Sequence, residues 1–208
     1  MKLLYATTNK SKIEYMQKIL EGLEIEILSP SSPLILPEVK EDGREPIENA
    51  CIKARAYYEV LREPLFSCDS GLLIDGLNKD RQPGARVRRV GNRELDDSEM
   101  IAYYSKLVKE LGGYVKASYR NAICLILNPK RVLAYDGDDL AEQFILVDRP
   151  HELRKLGFPL DSLSVEIGSG EYFVELYENG RINSSGCESG FRRFFSDLLS
   201  KFASKSRF

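Results

Sequence analysis

The sequence has very little histidine and no paired cysteines of the metal-binding kind. Its 208 residues include one histidine, His151, and four cysteines, none of them in a Cys-x-x-Cys pair. A zinc site of the usual Cys/His spacing is therefore absent. The polar surroundings of His151 also argue against a Ser-His-Asp or Cys-His nucleophile. Catalysis, if there is any, must depend on carboxylates and lysines, and carboxylates usually act on phosphates through Mg²⁺.

Long apolar runs and a strong net charge are also missing. The longest apolar run, 122–127, is far too short to cross a bilayer, and the N-terminal "MKLLYATTNK" does not have the pattern of a signal peptide. The net charge of −2 favours neither nucleic acid nor a membrane as a partner. Reduced thiols are the plain interpretation of the four cysteines, so we expect a cytoplasmic protein.

The apolar pattern predicts helices that alternate with strands at the front of the chain, followed by a long antiparallel meander. Helices are predicted at about 12–20, 46–62, 97–111 and 189–202. Strands are predicted at 2–6, 24–28, 65–68, 72–74, 115–128, 131–135 and 143–147, with another at 172–181 that ends in an Asn-Gly turn. This mixture indicates an α/β protein with a mixed sheet and does not favour a regular Rossmann fold.

The first stretch whose residues suit a binding or catalytic role is "ATTNKSK" at 6–12, where a strand runs into a helix. Its polar residues are Thr7, Thr8, Asn9, Lys10, Ser11 and Lys12. A helix N-terminus presents free N–H groups and a positive dipole end, which suits phosphate. The alternative is an ordinary helix cap with solvated lysines. The GxxxxGK[ST] pattern is absent, so the stretch is not a P-loop.

Acidic residues precede and open the next helix, in "EDGREPIENACIKAR" at 41–55. The helix dipole favours acids at this end in any case, so a purely structural role is a strong alternative. The functional interpretation is that Glu41, Glu45 or Glu48 faces a metal. Lys53 follows Glu48 by five residues, so the two are not close neighbours on one helical face.

The third stretch is "SCDSGL" at 67–72, where Asp69 is predicted to end a buried strand before Ser70 and Gly71 turn the chain. A carboxylate there is partly desolvated unless it binds a cation. Asp69 therefore either caps the turn or binds Mg²⁺ and takes a proton from water. The basic stretch "RQPGARVRRVGNR" at 81–93 is interpreted first as a solvated loop, with anion binding as the alternative.

Taken in order, these stretches resemble the inosine triphosphatase (Ham1) family of nucleoside-triphosphate pyrophosphatases. The family patterns are T-[GS]-N-x-x-K, E-x-G-x-x-F-x-E-N-A-x-x-K-A, D-D-S-G-L and P-G-x-x-S-A-R. They correspond here to "TNKSK" at 8–12, "EDGREPIENACIKA" at 41–54, "CDSGL" at 68–72, and Pro83-Gly84 with Arg89. Their order and intervals agree over roughly the first 90 residues.

The resemblance implies an Mg²⁺-dependent enzyme that hydrolyses a nucleoside triphosphate to the monophosphate and pyrophosphate. The preferred substrates would be the deaminated purine nucleotides ITP, dITP and XTP. The implied fold is an elongated mixed β-sheet with flanking helices, forming two lobes around a central cleft within one domain over 1–208. A homodimer is also implied.

The resemblance further implies a role for each matched residue. Asp69 would activate water and, with Glu41, bind the metal, while Lys12 would act on the triphosphate as a second catalytic residue. Substrate binding is assigned to Thr7, Thr8, Asn9, Lys10, Ser11, Lys12, Lys53, Ser70, Arg89, Phe158, Asp161, Arg181 and Arg192.

Two departures from the family pattern leave alternatives open. Cys68 stands where the family usually carries an acid, which lowers the negative charge expected at the site. The closing S-H-R motif is matched only by "SGFR" at 189–192, without its histidine. The chain is therefore either a pyrophosphatase for these purines, a pyrophosphatase for a different base, or a nucleotide-binding or regulatory homologue with lost or altered catalysis.

Overall fold

The structure is a computed structural model that describes residues 1–30, 36–91, 93–181 and 186–203. It is a mixed α/β fold with a mixed sheet and flanking helices, as predicted. The helices are α1 (Lys10–Ile19), α2 (Pro46–Leu61), α3 (Asp97–Glu110), α4 (Phe173–Glu178) and α5 (Cys187–Ala203). The strands are β1 (Lys2–Tyr5), β2 (Glu26–Leu28), β3 (Leu65–Ile74), β4 (Arg89–Val90), β5 (Arg93–Glu94), β6 (Tyr114–Asn128), β7 (Arg131–Tyr135), β8 (Ala141–Val147) and β9 (Ser164–Val165).

The chain divides into two compact units. The first unit comprises Met1–Asp69, Asn121–Leu140 and Cys187–Phe208, and the second comprises Ser70–Arg120 and Ala141–Gly186. Strands β3 and β6 contribute residues to both units. Among the described residues, no helix is both long enough and apolar enough to cross a membrane.

The sheet of the first unit has helices on both faces. Strand β1 pairs in parallel with β2 and β3, and the C-terminal half of β6 pairs antiparallel with β7. Side chains alternate between faces along a strand, so Leu3 and Tyr5 of β1 pack in the core formed with α1 and α5. Leu4 and Ala6 point to the opposite face and pack in the core formed with α2. Both faces are therefore buried, which explains the almost continuous apolar sequence of β1.

The second unit has its own core, built around α3 and the N-terminal half of β6. That half pairs antiparallel with β8, and β8 pairs antiparallel with β9. Asp96 begins α3 with a capping box, in which its carboxylate accepts from the Glu99 N–H at 2.8 Å and the Glu99 carboxylate accepts from the Asp96 N–H at 3.0 Å. This reciprocal bonding fixes the start of α3 where the sequence predicts it.

Three local predictions are wrong. Strand β3 continues through Asp69, Ser70 and Gly71, where a turn is predicted, because Leu72 and Gly84 exchange backbone hydrogen bonds of 2.9 and 3.0 Å that extend the ladder. The segment 172–181 contains a helix, α4, in place of a strand. Strand β8 pairs with β6 and not with β7, so the centre is not a simple meander.

Candidate active site

Asp69 lies on the α2 face of β3. Leu65, Ser67 and Asp69 alternate along the strand, and Leu65 packs in the core formed with α2. The Ser67 hydroxyl donates to the carbonyl of Ala50 in α2. The Asn49 side-chain Nδ2 donates to Asp69 Oδ2 at 3.1 Å. Helix α2 therefore holds the Asp69 carboxylate in one orientation.

Asn49 also holds the loop that precedes α2. It is buried, and its Oδ1 accepts from the Gly43 N–H at 2.8 Å. A Cβ at position 43 would lie 2.6 Å from this oxygen, so only glycine fits there. No role was predicted for Asn49, although it belongs to the Glu-Asn-Ala element of the second motif. That element was the signal that could have identified it.

Lys53 of α2 pairs with Glu41 in the preceding loop. Lys53 Nζ lies 3.0 Å from Glu41 Oε1, and both side chains are largely buried. Glu41, Glu45 and Glu48 were the three acids predicted as alternatives for facing a metal. Of these, Glu41 lies beside Lys53, in what we call the Asp69 cluster: Lys12, Glu41, Lys53 and Asp69. Glu48 is exposed and accepts from the Arg44 N–H at 2.7 Å, and Glu45 is exposed at the N-cap of α2 without a side-chain cap bond.

Lys12 enters the same cluster from the first turn of α1. Asn9 caps this helix by accepting from the Lys12 N–H at 3.3 Å, and the Thr7 hydroxyl accepts from the Asn9 N–H at 3.2 Å. Burial, followed by the nearby Lys53 ammonium, lowers the pKa of Lys12, while Asp69 opposes that shift. Within the predicted phosphate turn, the side chains of Thr8 and Lys10 are exposed and that of Ser11 is half-buried.

The Asp69 carboxyl is shifted towards its neutral form. Burial raises its pKa, and the charge of Glu41 raises it further. Lys53, the hydrogen bond from Asn49, and Lys12 lower it, without cancelling the effect of burial. A carboxylate whose pKa lies closer to neutral is a better proton acceptor at neutral pH, so the surroundings of Asp69 suit a general base.

Cys68 points to the opposite face of β3 from Asp69. It packs in the core formed with α1 and α5, to which Tyr5 also belongs. Burial raises the pKa of Cys68 to about 12, against the opposing effects of Tyr5, Lys12 and Lys53. The thiol is therefore neutral and supplies no negative charge. Tyr5 is a further residue whose contact was not predicted, because the sequence shows it only as part of an apolar strand.

The donor set fits Mg²⁺ only if the ion shares its ligands with a substrate. Among the described residues, no group of three or more His, Cys, Asp or Glu side chains could hold a metal. Mg²⁺ in phosphate sites is usually held by one or two carboxylates together with phosphate oxygens and water. Glu41 and Asp69 are two such carboxylates, and both act electrostatically on Lys12.

In the second unit, Phe158 and Asp161 are brought together by Lys155. Lys155 Nζ lies 3.4 Å from Asp161 Oδ2, 4.1 Å from the centre of the Phe158 ring and 3.5 Å from that of the Tyr177 ring. Burial raises the pKa of Asp161 to about 6, although Lys155 lowers it. Neither the family motifs nor the periodicity gave any signal for Lys155 or Tyr177.

The remaining predicted residues have other partners or lie at the surface. Arg192 donates to the carbonyls of Ile19 at 2.9 Å and Glu21 at 2.7 Å, so it caps the C-terminal end of α1. Arg181 forms a two-pronged ion pair with Glu171 in the second unit. Arg89 is exposed in β4 and Ser70 is half-buried in β3. These contacts give Arg181 and Arg192 partners within the protein.

Comparison with known proteins gives consistent results for sequence and fold. The sequence profile of the Ham1 family matches residues 3–139. The "dITP/XTP pyrophosphatase" of Aquifex aeolicus is 45% identical over 117 residues, which cover 53% of this chain and 55% of that protein. The protein of the same name from Treponema denticola is 32% identical over 133 residues, covering 61% and 63%. The matched segments thus span less than two thirds of either relative.

Two solved structures share the fold along nearly the whole chain. A Ham1 protein from Coxiella burnetii superposes with a TM-score of 0.74 at 24% identity, covering 97% of this chain and 99% of that one. The Staphylococcus aureus Ham1 protein gives a TM-score of 0.67 at 21% identity and covers all of both chains. At these identities the likeness is one of fold alone.

Proposed function

The chain belongs to the Ham1 family, and we propose that it hydrolyses a nucleoside triphosphate to the monophosphate and pyrophosphate. The observation that carries this proposal is the cluster in the first unit, where two carboxylates and two lysines meet at a helix N-terminus. The names of the relatives favour the deaminated, non-standard purine nucleotides dITP and XTP. The sequence resemblance adds ITP as a third substrate.

The triphosphate binds where α1 begins. The free N–H groups and the positive dipole end of α1 favour phosphate oxygens. Lys12 adds a partly buried positive charge, and Lys53 adds a second one when it turns from Glu41 towards phosphate. Thr7 and Asn9 shape the turn and Ser11 lies beside it, while Thr8 and Lys10 are exposed and contact phosphate from the solvent side.

Asp69 accepts the proton of the attacking water. Asn49 fixes one carboxylate oxygen, Oδ2, which leaves Oδ1 to orient the water. Glu41 and Asp69 would hold Mg²⁺, which supplies electrostatic stabilisation of the charge that develops on the phosphates. Replacing one carboxylate oxygen of Asp69 by an amide, as in Asp69→Asn, would weaken both the proton transfer and the binding of the metal.

Several parts of the proposal rest on the sequence resemblance alone. These are the substrate contacts of Ser70, Arg89, Phe158, Asp161, Arg181 and Arg192, the single two-lobed domain, the homodimer and the cytoplasmic location. For Arg181 and Arg192, a substrate role requires the guanidinium to leave the carboxylate or carbonyls that it contacts. Light scattering of the purified protein tests the dimer, and a mass of one 23.6 kDa chain would contradict it.

A second candidate function is nucleotide binding with weak or no turnover, and Cys68 is the observation that favours it. A neutral thiol where relatives usually carry an acid leaves the two lysines balanced by two carboxylates alone. The Cys68→Asp variant distinguishes the two functions. If the thiol has weakened catalysis, this variant gains turnover and binds Mg²⁺ more tightly in calorimetry with a non-hydrolysable triphosphate. A variant that folds and still gives no turnover favours the binding role.

The experiment that tests the proposed enzyme is pyrophosphate release with Mg²⁺ across a panel of nucleotides. The panel contains ITP, dITP, XTP and the four common NTPs and dNTPs. We expect release from the deaminated purines at several times the rate of any common nucleotide. Release from other nucleotides only would move the proposal to a different base, and nucleotide binding without release would replace it by the second candidate.

A further inference from the structure

An ion pair within the Asp69 cluster joins Lys53 of α2 to Glu41 in the loop that precedes this helix. Lys53 Nζ lies 3.0 Å from Glu41 Oε1, and the two side chains are only 14% and 27% exposed. The Gly43 N–H donates to Asn49 Oδ1 at 2.8 Å, so the loop that carries Glu41 is fastened to α2. The pair is therefore part of the folded structure and not a chance contact between long surface side chains.

The proposed reaction needs both members of this pair for other partners. Glu41 would hold Mg²⁺, and Lys53 would bind a phosphate oxygen. Mg²⁺ lies about 2.0–2.1 Å from a carboxylate oxygen that binds it. An ammonium on the same carboxylate would then lie beside a divalent cation, and the two would repel each other strongly because both side chains are largely shielded from water. Contact of Glu41 with Lys53 and contact of Glu41 with Mg²⁺ therefore exclude each other.

We propose that the Lys53–Glu41 pair couples the binding of Mg²⁺ to the binding of the triphosphate, by exchanging partners when both ligands arrive. Lys53 then moves from Glu41 to a phosphate oxygen, and Glu41 turns to the metal. Each of the two charges that separate gains a new partner of opposite charge, so the exchange leaves neither of them buried alone. This inference rests on the proposed function for the identity of the two ligands, and it goes beyond that function by predicting that they bind cooperatively.

Either ligand alone would bind poorly. If Mg²⁺ bound alone, Lys53 would remain largely buried without the negative charge that it now contacts. It would also remain near the ammonium of Lys12, whose pKa is lowered by burial and then by Lys53. If the triphosphate bound alone and took Lys53, the negative charge of Glu41 would be left facing phosphates of the same sign. Each ligand therefore removes the obstacle to the other, which is a reciprocal coupling of two binding events.

Calorimetry on the purified full chain tests the coupling. The probes are Mg²⁺ and the bis-methylene analogue of inorganic triphosphate, which cannot be hydrolysed and carries no base, so the result does not depend on base specificity. Each probe is titrated alone, with EDTA present for the analogue, and the analogue is then titrated with Mg²⁺ in excess. We expect the wild type to bind the analogue about 10-fold more tightly with Mg²⁺ than in EDTA, and to bind Mg²⁺ alone only weakly.

The variant Lys53→Met separates an exchange of partners from simple attraction between charges. It removes the ammonium from Glu41, so we expect Mg²⁺ alone to bind about 10-fold more tightly than it binds to the wild type. The gain in affinity for the analogue on adding Mg²⁺ should shrink correspondingly. The matched control is Lys12→Met, which removes the same charge from the cluster but leaves the Lys53–Glu41 pair in place. It should change the affinity for Mg²⁺ less.

The reciprocal variant is Glu41→Gln. It takes the charged partner away from Lys53, so in EDTA the analogue should bind about 10-fold more tightly than it binds to the wild type, and adding Mg²⁺ should no longer tighten binding. The charge-matched control is Asp69→Asn, which keeps the pair and should give a smaller gain in EDTA. This second comparison decides the question if circular dichroism shows that Lys53→Met does not fold.

Equal affinities of Lys53→Met and Lys12→Met for Mg²⁺ would overturn the inference, because net charge alone would then account for the binding. Equal gains in EDTA for Glu41→Gln and Asp69→Asn would overturn it for the same reason, as would a wild-type affinity for the analogue that does not change with Mg²⁺. Coupling in calorimetry without pyrophosphate release from any nucleotide would contradict the proposed enzyme and leave the coupling standing. Release without coupling would contradict only the exchange of partners.

Discussion

Each of the two units contains a partly buried carboxylate near lysine, but the two carboxylates have different surroundings. In the second unit, Asp161 is paired directly with Lys155, and two aromatic rings lie against that ammonium. In the first unit, the direct partner of Asp69 is the neutral Asn49, and the lysines act on it from a distance while Lys53 is bonded to Glu41.

The difference separates a closed ion pair from an open group of charges. Lys155 and Asp161 satisfy each other, so any group that enters must break a buried pair, which is costly. Two carboxylates, Asp69 and Glu41, and two lysines, Lys12 and Lys53, balance one another only as a set of four. A metal with a polyphosphate can replace their mutual contacts with stronger ones. We therefore propose that Asp69 carries out the chemistry, and that the Lys155–Asp161 pair holds its part of the second unit in place without taking part in the proton transfer.

The largest expected effect is on turnover, from Asp69→Asn. The loss of the general base and of a metal ligand should lower kcat about 100- to 10,000-fold. Asparagine keeps the shape of the side chain, so the melting temperature should change little. The matched variant is Asp161→Asn, for which we expect a kcat within about tenfold of the wild type. Equal losses in steady-state assays of both variants would contradict the comparison.

The next effect is on stability, from Lys155→Met. This variant leaves Asp161 buried without its cation and should lower the free energy of unfolding by about 3 kcal/mol at pH 7. Urea denaturation measures the loss. The double variant with Asp161→Asn should recover most of it, because no charge then remains buried. A single variant as stable as the wild type would mean that the pair is not closed in solution.

The pH dependence of stability gives a third test of the pair. The folded-state pKa of Asp161 is about 6, against its ordinary value of 3.8. Between these values the folded protein binds more protons than the unfolded chain, so the free energy of unfolding falls as pH rises through this window. The contribution is at most about 3 kcal/mol. Urea curves from pH 4 to 7 should show a steeper decline for the wild type than for Asp161→Asn, and parallel curves would refute the shift.

The smallest expected effect concerns a third acidic residue, Asp139 in the first unit. Its Oδ1 accepts from the Tyr135 hydroxyl at 2.6 Å, and a Cβ added at Gly190 would lie 2.2 Å from its backbone oxygen. Gly190→Ala should therefore cost about 2 kcal/mol of stability through overpacking. The control is Gly168→Ala, where an added Cβ meets nothing within 4 Å. Equal melting temperatures for the two variants would show that position 190 is not tightly packed.

The sequence predicted the parts that local pattern determines. The helix at 46–61 follows from its proline start and its apolar stripe, and the start of α3 follows from Asp96. Small residues at 70 and 71 suggested a turn, but pairing of Leu72 with Gly84 keeps β3 extended, which no local rule contains. In α4, buried Phe173 and Leu176 have helical spacing within a segment too short to distinguish from a strand.

The sequence named residues that the structure brings together, but it did not predict the contacts between them. The motif order singled out Lys12, Glu41, Lys53 and Asp69, which the structure brings into one cluster. The bonds that organise them join different elements, as when Asn49 of α2 reaches Asp69 of β3, and pattern within one element cannot reveal such a contact. The buried partners Tyr5 and Lys155 were missed for the same reason.

The most direct test of the central claim is to identify the phosphate product formed from ITP and XTP by the reduced protein with Mg²⁺. Pyrophosphate, orthophosphate and nucleoside monophosphate should be quantified in the same reaction, beside Asp69→Asn. We expect one pyrophosphate for each monophosphate, no orthophosphate, and almost no product from the variant. Release of orthophosphate, or equal product from Asp69→Asn, would contradict the assignment of the pyrophosphatase reaction to the Asp69 cluster.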